Sequence, residues 1–172
     1  MKHIGMYTKQ VMEHFKKPHN FGKIKNPNAI GQAGNIVCGD VMQLYLRIEK
    51  DKKGKEIIKN VGFETFGCVA AIATSSVITD LIKGKTINEA LDFNREKIVK
   101  ELGGLPPIKL HCSVLAADAL YEAIYNYLTK EKRAIPKKLQ VVHQRIDTEK
   151  KKVEQEYQDW VNIEKKMYQK PE

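Results

Sequence analysis

Cys38, Cys68 and Cys112 are the residues through which this 172-residue chain could do chemistry. An odd cysteine count in a chain with no export signal points away from a disulfide framework and toward metal ligation or thiol chemistry. The three stand 30 and 44 residues apart, so there is no local CxxC knuckle and any shared site must be assembled by the fold. Cys38 lies in Val37-Cys38-Gly39-Asp40, where Gly39 lets the backbone turn so that thiol and carboxylate face one point. Cys68 follows Gly67 at a strand-to-helix junction, and Cys112 directly precedes Ser113, which reads as a helix N-cap. Unpaired amides and the dipole at a helix N-terminus favour thiolate, the form that binds metal. With Asp40 near Cys38 and His111 beside Cys112, the set offers three sulfurs plus nitrogen or oxygen. Tetrahedral zinc sites and iron–sulfur clusters take such sets. Taken singly, each residue also has a bland reading: a buried structural cysteine, a loop histidine, a turn acid. His3, His14, His19 and His143 lack such company and read as structural or solvent-exposed.

Other chemistries find no template. The chain contains no GxSxG elbow, no GxxxxGK[ST] loop, no HExxH and no GxGxxG. A Cys112–His111 nucleophile pair is disfavoured because adjacent side chains seldom point at each other. The net charge of +9 is spread out, with 12 basic and 8 acidic residues in 130–172 and the remaining 18 and 13 before it. No basic arm and no nucleic-acid-binding motif accompanies it, so no nucleic-acid partner is expected. No apolar run approaches the ~20 residues needed to span a bilayer, and Met1–Gly5 does not read as a signal peptide, so a cytoplasmic protein with no membrane partner is expected.

The elements that must position these residues follow from periodicity. Val11, Met12 and Phe15 share a face of a helix over residues 6–16, which Pro18 ends. A glycine-punctuated stretch, GQAGNIVCGD, leads into a strand in which Met42, Leu44, Leu46 and Ile48 alternate with polar residues. Gly54 marks a turn, and a second strand over 57–66 carries Val61, Phe63 and Thr65 on one side, giving an antiparallel hairpin. The period then changes. Val69, Ile72, Val77, Leu81 and Ile82 mark a helix ending at Gly84. Residues 86–102 read as one further helix with Ile87, Leu91, Ile98 and Leu102 inward, and Leu120, Ile124 and Leu128 mark another from Ser113. A short sheet with helices grouped on it is an α+β domain. After Pro136, Leu139, Ile146, Val153, Trp160 and Met167 recur every seven residues, with Glu149 and Glu156 interrupting a second stripe. This predicts a long helix whose seam either packs on its own domain or forms an oligomer or partner contact.

Several motifs in this order resemble the IscU/NifU N-domain family of iron–sulfur cluster scaffolds. They are Tyr7, Val11, His14, Pro18, Asn20 and Gly22; Cys38-Gly39-Asp40; Phe66-Gly67-Cys68 with Ala71-Ile72-Ala73 and Ser75-Ser76; Lys83-Gly84-Lys85; and Leu105-Pro106-Pro107-Ile108-Lys109-Leu110-His111-Cys112-Ser113. The resemblance covers about Tyr7 to Lys130. It implies a small three-stranded antiparallel sheet with helices packed on it, in a scaffold domain over 1–133, followed by a helical extension over 134–172. It further implies a carrier, not an enzyme, on which a [2Fe–2S] cluster is built from iron and handed to apo-acceptors such as ferredoxin. Cys38, Cys68 and Cys112 would ligate, with Asp40 and His111 completing or exchanging at the site. Sulfur would come from a cysteine desulfurase. Leu105, Pro106, Pro107, Ile108 and Lys109 resemble the segment gripped by an Hsp70-type chaperone with its J-domain co-chaperone, although Ile108 stands where the pattern has valine. The two prolines are expected to hold that segment extended. The isolated protein could carry zinc, since the same ligands accept it. The alternatives are a zinc-bound SufU-type sulfur acceptor and a structural zinc-binding interaction module. The SufU-type proteins have an insertion before the last cysteine and lack the His-Cys pair, whereas this chain has His111-Cys112.

Overall fold

The structure, a computed structural model, describes residues 3–4, 6–34 and 39–168, with the side chains of 3–4, 160, 161 and 164–168 left aside. A two-stranded ladder, β1 (His3–Ile4) and β2 (Tyr7–Thr8), precedes α1 (Lys9–Lys16). The Thr8 hydroxyl caps α1 by accepting from the Val11 amide and donates to the Leu102 carbonyl. That is two orphan groups satisfied by one side chain, tying the start of α1 to the far end of the helical layer.

The sheet is antiparallel in the order β3 (Ala29–Gly34), β4 (Val41–Lys50), β5 (Glu56–Phe66). In β4, Met42, Leu44, Leu46 and Ile48 are buried as their alternation requires. A register shift opposite Arg47/Ile48 places Ile58 on the same buried face as Val61 and Phe63. The first strand lies in a stretch that the sequence presents as irregular. Gly31 has a packing reason, because α5 (Leu110–Lys130) lies directly across it. A Cβ on Gly31 would sit 2.1 Å from the Ala119 carbonyl oxygen and 2.3 Å from the Ala123 nitrogen.

The helical layer departs from expectation in three places. In α2 (Val69–Ile82) the buried residues run almost all round the helix, and Val69, Ile72 and Leu81 are only half-buried. Small residues such as Ala70, Ala73 and Ser76 let α1 and α5 approach closely, so size outweighs hydropathy in choosing the buried faces. Residues 86–102 form two helices, α3 (Ile87–Leu91) and α4 (Arg95–Glu101). The Asn94 side chain accepts from the Lys97 amide and starts a new helix where the apolar spacing suggested continuity. Finally, α5 begins at Leu110, three residues before Ser113, and is entered through a 3-10 turn at Pro107–Lys109. Ser113 is thus inside the first turn, its hydroxyl donating to the Leu110 carbonyl. The Pro107–Lys109 part of the chaperone-like segment is therefore turned, not extended: fixed proline φ suits a helical first turn as well as an extended chain.

The terminal helix α6 (Lys137–Tyr168) is docked on the domain at its start. Leu139 is 1% exposed, Val142 packs on the core, and the His143 ring stacks on Tyr125 with its Nδ1 2.8 Å from Glu122. Arg145 donates to the buried Asp118 at 2.7 Å. Burial drives the Asp118 carboxyl above its ordinary range, with Arg145 opposing. Further along, Val153, Tyr157 and Ile163 are exposed. The side chains of Trp160 and Met167, on which the seam also rests, lie outside the described residues. Truncation before Pro136 is therefore expected to lower the melting temperature. It uncovers the Leu139 site, worth about 1.5–3 kcal/mol for a buried leucine, and strips two buried acids of their partners. Truncation after Lys151 should leave the melting temperature nearly unchanged. Thermal denaturation of both proteins checks this, and an equally large loss in the second would contradict it.

Candidate metal centre

Two helix starts and one strand entry converge on the thiols. Cys68 is the extended N-cap residue of α2, and its carbonyl accepts from the Ile72 amide. Cys112 is fully buried in the first turn of α5, where its carbonyl accepts from the Thr74 hydroxyl of α2. That bond fixes one helix start against the other. The two sulfurs are 3.6 Å apart. A disulfide would need ~2.05 Å, whereas two thiolates on one tetrahedral ion at ~2.3 Å stand roughly 3.8 Å apart. The Cys112 thiol lies 3.7 Å from Asp40 Oδ2, and Asp40 is 6% exposed.

Glycine is required at the approach. A Cβ on Gly67 would meet the Asp40 carboxylate at 3.0 Å and the Ala71 Cβ at 2.7 Å. Gly39 turns with φ +71°, in the region side chains resist, as the chain enters β4. Ligand atoms of Asp40, His111 and Cys112 lie within 4.8 Å of one another. The His111 Nε2 is buried and has no hydrogen-bond partner among the described residues. A buried ring nitrogen in that condition is costly unless something else binds it. The structure thus brings together Asp40, Cys68, His111 and Cys112. Cys38 lies outside the described residues, and in sequence it stands two residues before Asp40.

The surroundings divide into an apolar wall and a cationic rim. Ala70, Ala71, Tyr7 and Leu105 pack around Cys112 and Cys68. The Tyr7 hydroxyl is pushed up by burial and then by the two thiols. The Lys109 ammonium is pushed up chiefly by Cys68, with Tyr7, Cys112 and Asp40 acting in the same direction. Lys109 thus places a positive charge at the rim of the thiol site. Sequence inspection missed Tyr7 and Lys109 as neighbours of the sulfurs, because only the packing of β2 and the 3-10 turn against α2 brings them there. It also left His14 and His19 without company. They approach each other and Asp80 on the α1–α2 face.

Two thiols from separate helix starts thus meet beside a small antiparallel sheet in an α+β domain. The chain belongs to the NifU-like N-terminal domain family, whose match spans residues 6–134 and ends just before α6. It is similar to the iron–sulfur cluster assembly scaffold protein IscU 1 of Archaeoglobus fulgidus, with 49% identity over 125 residues, covering 73% of this chain and 78% of that one. The protein of the same description from Aquifex aeolicus, IscU, is 42% identical over 127 residues, 74% of this chain and 79% of that one. In fold the chain resembles the N-terminal part of a nitrogen-fixing NifU-like protein from Brucella abortus. The TM-score is 0.54 at 22% identity, covering 75% of this chain and 96% of the other.

Proposed function

We propose that this chain is a scaffold for iron–sulfur cluster assembly, on which a [2Fe–2S] cluster is built from iron and desulfurase-derived sulfur and then transferred to acceptors such as ferredoxin. The observation that carries the proposal is the Cys68–Cys112 sulfur pair at 3.6 Å with the Asp40 carboxylate 3.7 Å from the second sulfur. Cys38, Cys68 and Cys112 are assigned as the soft ligands that hold iron. Asp40 offers a harder oxygen, more readily displaced by an incoming thiol. His111, whose buried Nε2 has no hydrogen-bond partner among the described residues, is the ligand that exchanges with it. The chain's part is to bind and release, which makes it a carrier and not an enzyme.

Its partners are then a cysteine desulfurase, the acceptors, and an Hsp70-type chaperone with its J-domain co-chaperone at Leu105–Lys109. Ile108 is 68% exposed and available to a chaperone. Gripping an extended peptide there requires the 3-10 turn to unwind, and that would pull on the start of α5 and on Cys112 with it. The test is anaerobic incubation with ferrous iron, cysteine, a desulfurase and a thiol reductant that supplies the electrons needed to bring persulfide sulfur to sulfide. The expected outcome is visible sulfur-to-iron charge-transfer bands and equal amounts of iron and acid-labile sulfide. Desulfurase activation with zinc retained and no chromophore would make the chain a SufU-type sulfur acceptor. Neither response would leave a structural zinc module.

A further inference from the structure

We propose that His14, His19 and Asp80 form a second cation site, away from the thiols, for a first-row divalent ion of borderline softness such as cobalt, zinc or ferrous iron. Their ligand atoms all lie within 4.8 Å of one another. His14 sits near the end of α1, His19 in the connection after it, and Asp80 in the last turn of α2. Cys68 caps the other end of α2, twelve residues away, which is ~18 Å along the axis. The two sites are thus separate.

The histidines are organised by a shared partner. The Ser76 hydroxyl accepts the His19 backbone amide at 2.8 Å and stands 2.8 Å from His14 Nδ1. When His14 donates Nδ1–H to Ser76, its Nε2 keeps the lone pair, the arrangement that orients metal-binding histidines elsewhere. The His14 and His19 rings lie 4.9 Å apart, and His19 Nδ1 is 2.6 Å from Asp80 Oδ2. Asn20, with φ +56°, donates from its amide to the other Asp80 oxygen at 3.2 Å, leaving Oδ2 to the histidine.

The surrounding charges agree with this geometry. Burial, and then the neighbouring His19, hold the His14 imidazole below its ordinary value, while Asp80 acts in the opposite direction. Glu13 and Glu101 add negative potential at His14, while Lys83, 3.4 Å from the Asn20 side chain, is the opposing cation. Two imidazoles and one carboxylate suit borderline ions better than calcium or magnesium, which take all-oxygen shells. Ligands on a tetrahedral ion at ~2.0 Å stand roughly 3.3 Å apart, so closure asks for a movement of about 1.5 Å. His19 and Asp80 are exposed and can make it. A bound ion would clamp α1 to α2, with water completing its shell.

Cobalt(II) separates this site from the thiols, because cobalt thiolate shows intense near-ultraviolet charge transfer and cobalt on imidazole and carboxylate does not. Titration of the full chain is expected to show binding beyond the thiolate band, with only weak visible d–d absorption. The doubly substituted His19→Ala, Asp80→Asn chain should lose that binding by at least about tenfold in affinity, since outer partners of metal ligands already carry that much. Its thiolate band should be unchanged. Equilibrium dialysis gives the bound metal independently of any spectrum. Equal binding by the substituted chain, or no binding to the wild-type chain outside the thiols, overturns the site. Absence of the thiolate band from the wild-type chain, with the other binding present, would count against the scaffold proposal and not against this one.

Discussion

Replacing Cys112 with serine is expected to leave the protein folded and unable to hold a cluster. The sulfur is fully buried between two helix starts, 3.6 Å from Cys68 and 3.7 Å from Asp40. A serine hydroxyl fits the space and can donate to Asp40, so the folding cost should be near 1 kcal/mol, the size of one ordinary hydrogen-bond change. An alkoxide does not form at neutral pH, however, and a neutral hydroxyl is a poor ligand for iron. Cys68→Ser should behave alike with an even smaller folding cost, because Cys68 is partly exposed. Cys38→Ser belongs in the same series. Circular dichroism reports the fold, and the visible charge-transfer bands report the cluster. A stable cluster of wild-type yield in any of the three would remove that residue from the ligand set.

The second large effect is on stability. Gly31→Ala is expected to destabilise the chain by roughly 3 kcal/mol or more, at the upper end of overpacking costs. Its Cβ would be driven to 2.1 Å from the Ala119 carbonyl oxygen, and backbone cannot rotate away as a side chain can. Relief requires α5 to lift off β3, and α5 carries His111 and Cys112. Gly34→Ala in the same strand is the control. There a Cβ meets nothing closer than 3.7 Å, so the change should fall within about 0.5 kcal/mol. Urea denaturation of both decides, and a Gly31→Ala chain as stable as wild type would contradict the packing of α5 on β3.

These two positions show what the sequence displays and what it hides. Alternation over Met42–Ile48 names the buried side of β4, and Leu120, Ile124 and Leu128 are buried as their spacing requires, although α5 is buried all round from Leu115 to Ile124. Gly31 hides its strand. A glycine chosen for close helix approach is indistinguishable, in one dimension, from one chosen for a turn. The break at Asn94 is hidden for a similar reason, since a single capping side chain overrides an apolar spacing that would run on. At the thiols, the strand-to-helix junction of Gly67 with Cys68 is legible, whereas at Cys112 the Ser113 signal misplaces the helix start by three residues. The neighbours supplied by packing, Tyr7 and Lys109, carry no local signal. His14 and Asp80 are 66 residues apart in sequence, so only the α1–α2 contact brings them together.

Cluster transfer tests the scaffold account most directly. A chain loaded anaerobically is mixed with an apo-ferredoxin, and the visible circular dichroism of donor and acceptor is followed in time. The account predicts that signal lost from the chain appears in the ferredoxin, and that at matched loading Asp40→Ala transfers more slowly, with a softer or water-filled position in place of the labile oxygen. A wild-type cluster that stays on the chain, or an Asp40→Ala chain that delivers as fast as wild type, would contradict it.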